Sequence, residues 1–106
     1  MAWIALGIAG ILEVVWAFSM KQSAGFTRFW PATVTIAAMI ASFALLAFSM
    51  RTLPLGTAYG MWTGIGAVGA FLIGILVLGE PANAPRIVGA LLIIAGLVVM
   101  KMAPQA

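Results

Sequence analysis

Four apolar stretches, each close to the length of a bilayer crossing, leave this chain little choice of fold. Cut at its charges and its Pro/Gly clusters, the sequence gives runs at 3–20, 31–50, 57–78 and 86–102. A helix rises about 1.5 Å per residue, so roughly 20 residues cross the hydrocarbon core. The expected fold class is an all-α membrane protein with four transmembrane helices per chain, residues 1–106 forming a single membrane domain. Only 7% of residues are charged, against about 25% in ordinary globular chains, which leaves no material for a soluble domain.

The residue types that are missing narrow the chemistry. There is no cysteine and no histidine, so disulfides, thiolate metal sites and the commonest metal ligand are all excluded. No metal and no cofactor is expected. With no second intramembrane acid to pair with Glu13, an enzyme is not expected either. The net charge of +3 is scattered along the loops without a basic block, which gives nucleic acid nothing to bind. No Lys or Arg precedes the first run and Glu13 interrupts it, so that run is expected to be a permanent span rather than a cleaved signal.

Glu13 is the residue around which a function can be argued. It lies near the middle of WIALGIAGILEVVWAFSM, within a turn of the bilayer midplane. A charge there costs about 2.5 kcal/mol or more, and such groups usually face a partner, a cavity or a transported ion. The plain alternative is a protonated acid that ties two helices together. On its helical face, at offsets of three, four and seven, stand Leu6, Ala9, Gly10, Trp16, Ala17 and Met20. Ala9, Gly10 and Ala17 are expected to leave room beside the carboxylate, and Trp16 to supply an aromatic wall. A negative charge, a π face and space together suit a small cation, and a planar guanidinium can take a carboxylate with two parallel hydrogen bonds. Burial disfavours the ionised form of a carboxyl group and a bound cation restores it, so one site can hold a proton or a cation, each expelling the other.

The other spans supply candidate neighbours. Ser42 lies near the centre of the second span, where a serine often only bonds back to its own helix. The short connection RTLPLGT predicts that the second and third spans are antiparallel neighbours. The third span has glycine at 60, 64, 66, 69 and 74. Gly60 and Gly64 form a small-xxx-small pair suited to close packing, while Gly64 and Gly66 also allow a hinge. Tyr59 and Trp62 share a face, and buried rings with O–H and N–H groups seek acceptors; packing alone is the blander reading. Trp3 and Trp30, at span ends, read as interfacial belt residues, and Lys21 and Lys101 as snorkelling ends. Glu80, in GEPANAP, is expected to be solvated. In the fourth span Gly89, Leu92, Ile93 and Gly96 make a smooth surface for another helix, from this chain or a second copy.

Charge says little about orientation. Arg51 and Lys101 fall on one side, and Lys21, Arg28 and Arg86 on the other. Because Lys/Arg bias sets topology, so even a split allows insertion either way round, and two opposed copies would form an inverted repeat from separate chains.

The stretches IAGILEVVWAFSMKQSAGFTRFWP, ASF around Ser42, LPLGTAYGMWTGIGAVGA and the Gly89-to-Gly96 face carry a resemblance that covers essentially the whole chain. It resembles the small multidrug resistance transporters and, through Trp16, Trp62 and WTGIGA, their guanidinium-exporting subtype. The resemblance implies an antiparallel homodimer in a bacterial inner membrane, exchanging protons for guanidinium. It implies that Glu13 binds substrate or proton, that Ser42 and Trp62 hydrogen-bond the glutamate, and that Tyr59 lines or gates the site. Trp16 would wall it, Gly64 and Gly66 would flex, and the fourth span would hold the dimer. Gly60 departs from the alanine frequent at that place in the family. Two rival readings stand beside this one: a polyspecific exporter of quaternary ammonium or hydrophobic cations, and a small structural subunit of a larger membrane complex.

Overall fold

The computed structural model describes residues 1–103. Among them run four helices, α1 (Ala2–Gln22), α2 (Phe29–Ser49), α3 (Leu55–Leu76) and α4 (Ala84–Met102). All four are long and apolar enough to cross a membrane.

Local sequence explains where they start and stop. Pro54 precedes α3, and Asn83 caps α4 by accepting the Arg86 N–H at 3.2 Å, with Pro85 in the first turn where its missing N–H costs nothing. The α1–α2 turn is closed by Ser23, whose carbonyl accepts the N–H groups of Thr27 and Arg28 at 2.8 and 3.1 Å. Gly25 takes φ +76° there, between Ala24 and Phe26, which are also left-handed. Helix α3 stops two residues before the end of its apolar run. Gly79 turns left-handed at φ +70°, and the Glu80 N–H returns to the Gly74 carbonyl at 2.9 Å, a glycine-dependent helix ending.

The neighbour order is α2–α1–α3–α4, in a flattened molecule of 44 × 34 × 16 Å. Helices α2 and α3 do touch, as the short connection predicts, through Ser42, Phe43 and Trp62, but each packs more extensively on α1. The reason is the narrow face of α1, where Ala5, Leu6, Ala9 and Gly10 are buried. On one side the Ser49 hydroxyl donates to the Ala2 carbonyl at 3.2 Å and the Ser42 hydroxyl to the Ala9 carbonyl at 2.7 Å. On the other, Ile65 fills the space over Gly10, and Val14 lies against Gly69. Helix α4 packs mainly along α3, with Leu97 over Gly64 and Met100 over Gly60. The Gly60–Gly64 pair therefore does pack, and its partner is α4.

Nothing on α4 is buried. Gly89 and Gly96 face open space, and Leu92 is 68% and Ile93 39% exposed. The Lys101 ammonium sits 4.6 Å from the centre of the Trp3 ring, a cation–π contact joining the end of α4 to the start of α1.

Candidate functional site

Glu13 points from α1 at α3, toward Gly66. A Cβ on Gly66 would run into the Glu13 carboxylate itself, so only glycine leaves that seat open. The Glu13 Oε1 atom is buried and makes no hydrogen bond, and the same holds for the Trp16 indole Nε1 one turn along α1. Among the described residues no Lys or Arg pairs with Glu13; the ion pairs seen there belong to Glu80. Buried polar atoms are almost always satisfied, so an acceptor and a donor without protein partners one helical turn apart make this the candidate site among the described residues.

Ser42 and Trp62 are both buried and joined to each other. The Trp62 Nε1–H donates to the Ser42 hydroxyl at 2.9 Å, and that hydroxyl donates to the Ala9 carbonyl. The resemblance implies that both bond the carboxylate; here the relay ends instead on the α1 backbone, four residues before Glu13. Ser42 thus crosses to a neighbouring helix instead of bonding back along its own. Ser42→Ala would strand the buried indole N–H, an expected loss of about 1 kcal/mol, readable as earlier unfolding in a denaturant titration of the purified chain.

The aromatic residues form a string. Trp16 meets Phe43 edge-on at 6.4 Å, Phe43 meets Trp62 at 5.6 Å, and Trp62 meets Tyr59 at 5.7 Å between ring centroids. Tyr59 lies at the outer end, 53% exposed. Phe43 is the link the sequence reasoning passed over, although it directly follows Ser42.

One further expectation needs adjusting. Gly10 is covered by Ile65, and Ala9 is fully buried under Ser42, so the carboxylate's own seat is Gly66 on the facing helix, while Ala17 lines a cavity between α1 and α3. Helix α3 runs unbroken through Gly64 and Gly66; both are places of close approach, to Leu97 and to Glu13. No group of His, Cys, Asp and Glu among the described residues could hold a metal ion.

The sequence profile described as Small Multidrug Resistance protein matches residues 1–93. A protein of Citrobacter freundii named guanidinium exporter is 58% identical over 102 residues, covering 96% of this chain and 97% of that protein. A Salmonella typhimurium protein of the same name is also 58% identical over the same span. The guanidinium exporter of Escherichia coli strain K12 is 54% identical, again over 96% of this chain and 97% of its own length.

Proposed function

The chain belongs to the small multidrug resistance family, and we propose that it exports guanidinium cations in exchange for protons, with both competing for Glu13. As a member with four membrane-spanning helices it is a multi-pass inner-membrane transporter of bacteria and not an enzyme. The observation that carries the proposal is the open oxygen of Glu13, buried against Gly66, in a chain whose relatives are named for guanidinium export.

The chemistry follows from that oxygen. Guanidinium is planar and offers N–H groups in pairs, so a carboxylate can hold it by charge-assisted hydrogen bonds. Its charge persists at any physiological pH, as it does for arginine, so it does not cross as a neutral form. A proton neutralises the carboxylate and removes the attraction. Alternate loading then moves one species outward for the other inward. The Trp16 ring stands one turn from Glu13 with an open N–H of its own, and the Phe43–Trp62–Tyr59 string leads from there to the exposed side. A quaternary ammonium ion has no N–H to offer the carboxylate, so it should compete far less well.

A second copy in the opposite orientation completes the transporter. Two features support it: the row α2–α1–α3–α4 does not close on itself, and the Gly89, Leu92, Ile93 and Gly96 face of α4 is uncovered. Gly64 and Gly66 are where α3 would flex between the two access states. Fusing a topology reporter to the chain should reveal both orientations in one membrane; a single orientation contradicts the antiparallel pair.

The exchange itself is tested with purified protein in sealed vesicles carrying a pH dye. Guanidinium supplied outside should enter and make the lumen more alkaline as protons leave. Entry without a pH change defeats the exchange. Competition also sets a pH dependence. Protons occupy the site at low pH, so guanidinium binding should weaken by roughly tenfold per pH unit once the carboxyl is mostly protonated. An affinity that does not change with pH contradicts the shared site.

A further inference from the structure

Glu80 keeps 34% of its side chain exposed, as its place in a loop suggests, and is nevertheless held on several sides. Its N–H is fixed to the Gly74 carbonyl at 2.9 Å by the left-handed turn at Gly79. Its side chain lies across Gly74, where a Cβ would collide with the carboxylate. Oε1 is 3.5 Å from the Arg86 Nη2 and Oε2 is 4.0 Å from the Lys21 Nζ. Arg86 is in turn backed by the Phe71 ring, 5.5 Å from its centroid. One carboxylate therefore joins the end of α1, the end of α3 and the start of α4.

Beneath these charges is a cavity of about 180 Å³ between α1 and α3, walled by Val14, Ala17 and Ile73, with Lys21 and Glu80 also lining it. That volume holds several waters at about 30 Å³ each. Glu13 does not itself line the cavity, but Ala17 stands one helical turn beyond Glu13 on the same face of α1, so the cavity runs from the ion pairs to within a turn of the candidate exchange site.

We propose that the Lys21–Glu80–Arg86 bridge is a latch across this cavity, and that its release opens a water path from that membrane face toward Glu13. The proposal rests on the exchange reading above, because a site served from one face at a time needs a closure on each. Half-exposed ion pairs are individually weak, so such a latch can open without unfolding anything.

The chain has no cysteine, which makes the test clean. Ala17→Cys reports from the cavity and Ala24→Cys from the exposed turn. The full chain is placed in lipid discs, with both faces wet and no guanidinium present. Labelling uses a neutral, water-soluble maleimide, so that altered local charge does not itself change the rate. Glu80→Gln should speed labelling of the cavity cysteine by roughly three- to tenfold, the range expected for losing one or two such pairs. Lys21→Gln should also speed it, and the double variant should be no faster than Glu80→Gln alone. The turn cysteine should be unaffected. An unchanged rate at position 17, additive effects of the two substitutions, or an equal rise at position 24 overturns the latch. None of these readings depends on transport, so failure of the latch is distinct from failure of the exchange at Glu13.

Discussion

Glu13→Gln is expected to end guanidinium-driven proton movement while leaving the chain folded. Glutamine has the same shape as glutamic acid, and the atom at issue, Oε1, makes no hydrogen bond that its loss would break. No Lys or Arg pairs with Glu13 among the described residues, so neutralising it strands no buried cation. Removing one member of a buried charged contact weakens binding by about 2 kcal/mol or more, a factor of roughly 30. The proton route should vanish altogether, because an amide does not titrate. In dye-loaded vesicles the variant should match protein-free vesicles, while its unfolding midpoint stays at or above the wild-type value. Exchange at the wild-type rate would remove Glu13 from the exchange and leave it a group that bridges helices, which an amide does as well as an acid.

Gly66→Ala should separate stability from function in an unusual way. Alanine is favoured over glycine inside a helix by up to about 1 kcal/mol. The atoms its Cβ would meet belong to the flexible end of Glu13, with the Cγ at 2.8 Å. The carboxylate can swing aside, so the helix keeps its gain while the binding seat is lost. The expected result is an unfolding midpoint equal to or higher than wild type, with guanidinium affinity lowered roughly tenfold or more, since a displacement of about an ångström is costly to a positioned charge. Gly10→Ala is the contrast. Its Cβ meets Ile65, with that residue's Cβ at 2.8 Å, and a β-branched side chain cannot turn away, so α1 and α3 must separate and stability should fall. Equal behaviour of the two variants would contradict the assignment of Gly66 to the site.

The spans were legible because their signal is local: an uninterrupted apolar run of bilayer length permits only a helix, and the ends differ from the observed helices by at most two residues. Glu13 stood out for the same reason, as the one charge near the middle of such a run. What the sequence did not show was which helix lies against which. The RTLPLGT connection pointed to α2 and α3 as neighbours, and they do touch, yet the small face of α1 at Ala9 and Gly10 admits both more closely. That same wedge decided the hydrogen bonds. Ser42 finds the Ala9 carbonyl because α1 lies beside α2, and no spacing within the second span encodes that. The contacts of Glu80 were not legible because its seat, Gly74, lies a full turn back inside α3 and its cations come from two other elements. The glycines of α3 announced close packing, but only the structure assigns Gly60 and Gly64 to α4 and Gly66 to the carboxylate.

The most direct measurement is the count of protons set free when guanidinium is added to purified protein in weakly buffered solution, read with a pH indicator. Wild-type protein held slightly acidic should release protons as it binds, in proportion to the sites filled, and Glu13→Gln should release none. Saturable guanidinium binding by the wild type with no proton released at any pH, or undiminished release from Glu13→Gln, would contradict a carboxylate shared between the two cations.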